Sequence, residues 1–149
     1  MAEEVKVGEH TYIIGKLNAR QQFDLVRRLG GNSWYFEMAL TDEHQDGARW
    51  IGAILTGAMS YMSQADSDFV MDTSLSVVRR KVGNGSTAVL TAPGRLQFED
   101  IDLDAMLELS DRSLQVSLGP FFEKRRLART ASSSEGDTTT GTPEDPQSR

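Results

Sequence analysis

The N-terminal residues alternate between apolar and polar side chains, which is the pattern of a half-buried β-strand. Lys6 separates Val5 from Val7, and the Gly8-Glu9 pair that follows favours a turn. Residues 11–14 are then β-branched or aromatic. We therefore predict an N-terminal β-hairpin.

The hydrophobic period changes from two residues to three or four after Asn18, which is typical of an amphipathic helix. Asn18 caps a predicted helix over residues 19–29, in which Phe23 and Val26 belong to one apolar stripe. Gly30-Gly31 ends this helix, because glycine adopts the left-handed C-cap conformation without a steric penalty.

Helical spacing also dominates the middle of the chain. A short helical stretch is predicted over 33–40, and a longer helix with a buried face begins near residue 46 or 47 and reaches Met62. The Ser63–Asp66 segment resembles a capping box and opens a helix that we predict to run to about Val82. Its acidic start and its basic end complement the helix dipole.

A second β-hairpin and a final helix are predicted after residue 86. Residues 87–91 and 95–98 are two short strands on either side of a Pro-Gly turn. Asp100 or Asp102 then caps a helix whose apolar positions recur as far as Leu118. Gly119-Pro120 is expected to break that helix.

The C-terminal residues have almost nothing to bury. Between Thr130 and Arg149, nine of 20 residues are Ser or Thr, and Ala131 is the only aliphatic or aromatic residue. We predict one globular domain over residues 1–126 and a disordered polar tail over residues 127–149. The domain is predicted to be α+β and mostly helical, with about four helices, the N-terminal β-hairpin and the second short β-hairpin.

Composition excludes several classes of protein. The 149 residues include 22 acidic and 16 basic side chains, a formal charge of −6, and no cysteine. Disulfides and thiolate metal sites are thereby excluded, and the acidic balance argues against nucleic-acid binding. No apolar run approaches the roughly 18 residues of a membrane span. We expect a cytoplasmic protein that binds neither nucleic acid nor membrane.

Few residues are arranged for catalysis. His10 and His44 have no partner at metal-ligand spacing. Asp100, Asp102 and Asp104 are the best enzymatic candidates, because their oxygens suit a hard cation and would make the protein a metal-dependent hydrolase. Acids at a helix start are also stabilising without any metal. We predict no catalytic residues, no metal and no cofactor.

Aromatic side chains give a better indication of binding. Trp34, Tyr35 and Phe36 cannot all point inward from one short helix, and Phe121 and Phe122 follow a predicted helix break. Aromatic anchors dominate the energetics of interfaces, so we predict that these five residues take part in partner binding. The alternative for Phe121 and Phe122 is that they fold back over the core as a lid.

Three blocks of sequence resemble a known family. They cover residues 12–29, beginning YIIGKLNARQQF, residues 75–80 with the sequence LSVVRR, and residues 96–122, which begin LQFEDIDL and end LGPFF. Together they resemble the bacteriophage tail assembly chaperones of long-tailed phages.

That resemblance implies a non-enzymatic protein that binds the tape measure protein, keeps it soluble and assists tail tube assembly. It implies the tail tube protein as a further partner, action in the host cytoplasm and absence from the mature virion. Two alternatives stay open at this point. One is a minor tail or head–tail structural protein of the virion, and the weaker one is the metal-dependent hydrolase.

Overall fold

Strands and helices alternate along the chain in a mixed α+β order. The computed structural model describes residues 2–29 and 59–135, and roughly half of these residues are helical. In chain order the elements are β1 (Glu3–Val7), β2 (His10–Ile14), α1 (Ala19–Leu29), α2 (Gln64–Leu75), β3 (Val78–Val82), β4 (Gly85–Ala88), β5 (Leu90–Ala92), β6 (Arg95–Leu96) and α3 (Leu103–Glu135).

The main sheet is antiparallel and has the strand order β1-β2-β3-β4. The predicted N-terminal hairpin is confirmed: β1 and β2 pair in a register that sets Val5 opposite Tyr12. Gly8 makes the turn between them at a φ of 61°, a conformation that favours glycine. Strand β3 lies between β2 and β4, so the hairpin is extended by a part of the chain some sixty residues away.

The prediction of one helix from Ser63 to Val82 is wrong in its second half. The helix ends at Leu75, and residues 78–82 form β3. The basic residues looked suited to a helix end, but β3 places Val78 and Arg80 on the buried face of the sheet. Pairing with both β2 and β4 satisfies the backbone of this segment, and that tertiary gain outweighs the local helical pattern.

The second predicted hairpin is confirmed in a shorter form. Strands β5 and β6 pair as a separate two-stranded sheet around a turn in which Gly94 has a φ of 73°. Thr87 and Ala88, which were predicted in the same strand as Leu90, instead belong to β4 and pair with β3. Val89 connects the two sheets, since its amide donates to the carbonyl of Val78 in β3 at 3.0 Å and its carbonyl accepts from the amide of Gln97, next to β6, at 2.7 Å.

The final helix does not break where the sequence predicts. Pro120 lies inside α3, which continues to Glu135. Proline removes one backbone donor, but Pro120 lies on the exposed side of the helix and Phe122, just beyond it, is buried. The domain boundary predicted after residue 126 therefore falls within a helix. Residues 136–149 lie outside the described residues, so the disordered tail stays a prediction for them.

Three helices lie within residues 2–29 and 59–135, rather than the predicted total of about four. The helical stretch predicted over 33–40, and most of the helix predicted from residue 46 or 47 to Met62, fall on residues 30–58, outside the described residues. Within α1, Leu25 and Leu29 are buried, whereas Phe23 is 56% exposed. Phe23 lies about 160° around the helix from Leu25, so it is on the opposite face from the core.

The core has two parts, and α3 contributes to both. One part, the helical cluster, lies between α1, α2 and α3 and consists of Leu17, Leu25, Leu29, Val70, Leu114, Leu118 and Phe122. The other, the sheet cluster, lies between the main sheet and the start of α3 and consists of Val7, Tyr12, Ile14, Leu75, Val78, Val89, Ile101 and Leu109.

A row of buried serines on α3 separates the two clusters. Ser110 shares a hydrogen bond with Ser74 of α2, with 2.5 Å between the hydroxyl oxygens. Ser117 accepts a hydrogen bond from the backbone amide of Leu17 at 2.9 Å, and both residues are buried. At Ser110 and Ser117 a small side chain lets a neighbouring segment approach α3 closely while its hydroxyl forms a hydrogen bond, whereas the buried hydroxyl of Ser113 has no hydrogen-bond partner among the described residues.

Replacing Leu118 by alanine should destabilise the protein by about 2–5 kcal/mol, because it leaves a cavity in the helical cluster. Leu118 has no exposed surface, whereas Leu103 at the other end of α3 is 65% exposed. The matched control Leu103→Ala should change the free energy of unfolding by less than about 0.5 kcal/mol. Urea denaturation measures both values, and equal values would contradict this account of the core.

Candidate partner-binding site

The acidic residues before α3 have structural contacts. Both terminal nitrogens of Arg80 donate to the Asp100 carboxylate at 2.8 Å, and the Arg80 guanidinium lies 4.4 Å from the centre of the Phe98 ring. Hydrogen bonding to Arg80 lowers the pKa of Asp100. Asp102 caps α3 by accepting from the amide of Ala105 at 2.8 Å. Two of the three candidate metal-ligating carboxylates, those of Asp100 and Asp102, therefore have structural roles at the N-terminal end of α3.

The structure separates the two predicted phenylalanines. Phe122 is 3% exposed and packs in the helical cluster, which agrees with the alternative that it folds over the core; a role of Phe122 in partner binding stays a prediction. Phe121 is 39% exposed, and its ring meets that of Phe122 edge to face at a centroid distance of 5.3 Å. The neighbouring positions differ because successive helical residues point about 100° apart. Phe121 stays a predicted binding residue.

The other three predicted binding residues, Trp34, Tyr35 and Phe36, lie outside the described residues. Their role in partner binding stays a prediction.

More exposed side chains follow Phe121 along α3. Leu127 is 56% exposed, and Lys124, Arg125 and Ala128 are exposed as well. At 3.6 residues per turn, these five side chains lie within an arc of about 160°. We call this surface the distal face of α3. The guanidinium of Arg125 lies 5.4 Å from the centre of the Phe121 ring, which places a cation beside the exposed aromatic group.

Leu127 is not among the predicted binding residues, because the sequence places it in the predicted disordered tail over residues 127–149. A signal was present: residues 123–129, with the sequence EKRRLAR, are all good helix formers. That run continues the helix beyond Pro120 once Phe122 is anchored in the core.

Two other exposed aromatic residues, Phe23 and Tyr61, are 56% and 80% exposed and were not predicted as binding residues.

A buried carboxyl group was also missed. Asp111 is 3% exposed, and burial raises its pKa to about 7. The amide of Gln115 lies 3.5 Å from its carboxylate, while Arg112 lowers the pKa and Glu108 raises it by smaller amounts. The spacing gave a signal, because Asp111 lies three residues before Leu114 and seven before Leu118 and so falls on their side of the helix.

Comparison with known proteins identifies the family. A family model described as phage tail assembly chaperone protein, TAC, matches residues 8–130. The chain belongs to this family. The match includes α1, α2, strands β2 to β6 and the whole distal face of α3, and it confirms the resemblance found in the sequence. No curated protein and no solved structure matches the chain.

Membership of this family supports a role in phage tail assembly, and the family description names a chaperone rather than an enzyme. Within residues 2–29 and 59–135, no helix combines the length and apolar character needed to cross a membrane. Over the same ranges, no group of three or more His, Asp or Glu residues is arranged to hold a metal ion.

The two adjacent phenylalanines should respond differently to truncation. Phe122→Ala should cost about 3–5 kcal/mol of stability, because a buried ring is removed from the helical cluster. Phe121→Ala should cost less than about 1 kcal/mol, since it loses mainly the edge contact with Phe122. Thermal and urea unfolding of both variants measure the difference. A large loss for Phe121→Ala would show that Phe121 belongs to the core as well.

Asp111 should make the protein less stable as the pH rises. The unfolded chain releases this proton near pH 4, from an ordinary aspartate pKa of about 3.9, while the folded chain keeps it up to about pH 7. The free energy of unfolding should therefore fall between about pH 4 and pH 7 and stay low above that range. Asp111→Asn should remove this decline and stabilise the protein at pH 8.

The matched control for Asp111→Asn is Glu9→Gln, which removes one exposed carboxylate from the β1–β2 turn. Urea denaturation at intervals from pH 4 to pH 8 follows the decline in each variant. A decline that persists in full after Asp111→Asn would assign it to another group.

Proposed function

We propose that this protein is a non-enzymatic chaperone that binds the tape measure protein of its phage, keeps that protein soluble in the host cytoplasm and assists assembly of the tail tube around it. The tail tube protein is a second proposed partner. We further propose that this protein is absent from the mature virion, since a chaperone is released once its partner is assembled.

The match to the tail assembly chaperone family over residues 8–130 carries this proposal. The surface of the described residues is compatible with it. Several large apolar side chains are exposed, among them Phe23, Tyr61, Phe121 and Leu127. Exposed apolar groups are the means by which one protein covers the apolar segments of another before assembly.

Co-expression tests the proposal directly. The tape measure protein of the same phage, expressed in bacteria with this chain, should stay in the soluble fraction and should co-purify with it. Expressed alone, or with an unrelated acidic protein of similar size, it should be mainly insoluble. Equal solubility in all three cases would contradict the chaperone function.

Purified virions provide a second measurement. Mass spectrometry of the finished particle should detect the tape measure protein and lack this chain. Recovery of the chain at a fixed number of copies per tail would instead identify it as a structural subunit.

A further inference from the structure

The distal part of α3 carries a charge opposite to that of the whole protein. Residues 121–132 contain Lys124, Arg125, Arg126 and Arg129 and a single acidic residue, Glu123, although the chain has a net charge of −6. The same stretch includes two of the most prominent exposed apolar side chains on α3, Phe121 and Leu127. Charge and apolar surface therefore coincide on one helical segment.

The described burial of α3 ends well before the helix does. Phe122 is the last residue of α3 that is buried, among those whose side chains are described, and the helix continues to Glu135. Thirteen residues span about 20 Å of helix. A helical stretch of this length is only marginally stable in water on its own, so packing against a partner would stabilise it.

We propose that the distal face of α3 binds an acidic amphipathic helix, and that in the proposed function this helix is a segment of the tape measure protein. This inference rests on the proposed function and adds the surface and the chemistry of the partner. The face is formed by Phe121, Lys124, Arg125, Leu127 and Ala128.

The partner should be a helix because of the spacing of these residues. Phe121, Lys124 and Ala128 are separated by three and four positions, which aligns them in a row along α3 that can pack against the row of another helix. The backbone hydrogen-bonding groups of a helix interior are already used, so α3 has no free strand edge to which an extended segment could add.

The partner should be acidic because a lysine lies within the apolar arc. On the helix surface Lys124 lies about 60° from both Phe121 and Leu127. A carboxylate opposite Lys124, flanked by apolar residues, would pair with this cation while both rows bury their apolar groups. A helix that lies on a membrane has the reverse arrangement, with a wide apolar face and cations on the opposite side.

Peptide binding tests the inference. Overlapping fluorescent 25-residue peptides covering the tape measure protein of the same phage are titrated with the full-length chain, and binding is followed by anisotropy. The peptides that bind should be net acidic, with an acid inside an apolar row of helical spacing. Their affinity should fall severalfold when NaCl is raised from about 50 mM to about 500 mM, because surface charges are screened.

Two pairs of variants locate the surface. Lys124→Glu should weaken binding at least about tenfold, while Lys16→Glu makes the same charge change at an exposed lysine outside α3 and should have no such effect. Leu127→Ala should also weaken binding about tenfold, while Leu103→Ala removes an even more exposed leucine at the other end of the same helix and should have no such effect. Changing the central acid of the peptide to lysine should restore binding to Lys124→Glu.

Several results would overturn the inference. One is that Lys124→Glu and Leu127→Ala both bind the peptides with wild-type affinity while co-expression still keeps the tape measure protein soluble. That result would support the proposed function but would show that the binding surface lies outside the distal face of α3. Binding by basic or neutral peptides would refute the charge argument. Sedimentation that shows self-association lost in Leu127→Ala would assign the face to a second copy. Lys124-dependent binding to vesicles of phosphatidylcholine and phosphatidylglycerol, with no peptide bound, would assign it to lipid.

Discussion

The described part of the molecule depends on the burial of one helix on two sides. Leu109 of α3 packs on the sheet, while Leu114, Leu118 and Phe122 pack on α1 and α2. Between these two apolar rows, Ser117 accepts a hydrogen bond from the backbone amide of Leu17 and Ser110 shares one with the hydroxyl of Ser74. Each cluster alone would be a small core, and α3 joins the two. The sheet and the other two helices are therefore placed by their packing against α3.

The long-range strand β3 is the second element on which the fold depends. It follows α2 directly and inserts between the N-terminal hairpin and β4. Arg80 on its buried face pairs with Asp100 and lies against Phe98, so the segment that leads into α3 is held on the sheet. A charged residue is accepted there because the pair is hydrogen-bonded at both terminal nitrogens and remains partly open to solvent through Asp100.

Anchoring α3 in the core has a consequence for function. Because Phe122 fixes the helix just beyond Pro120, the residues that follow are presented as a helix at the surface, with Phe121, Lys124 and Leu127 on one side. A short cationic helix of this kind would be poorly ordered as an isolated peptide. In the proposed function, such a surface suits a partner that is bound during assembly and released afterwards, since screened charges and a small apolar area give moderate affinity.

The features that rest on local chemistry and on family-specific blocks could be predicted from the amino-acid sequence. The Gly8 hairpin, the helix capped by Asn18, the turn at Gly94 and the family itself were all predicted correctly, because turn geometry, capping and short motifs act over a few residues. Tertiary structure alone decided that residues 78–82 form a strand, that α3 passes through Pro120, and that Phe122 is buried while Phe121 is exposed. In each of these cases the deciding partner lies far away in the chain: β2 for β3, and the α1–α2 pair for Phe122. The local pattern of apolar and polar residues does not report such contacts, since the free energy of burial and of strand pairing is gained only when distant residues come together.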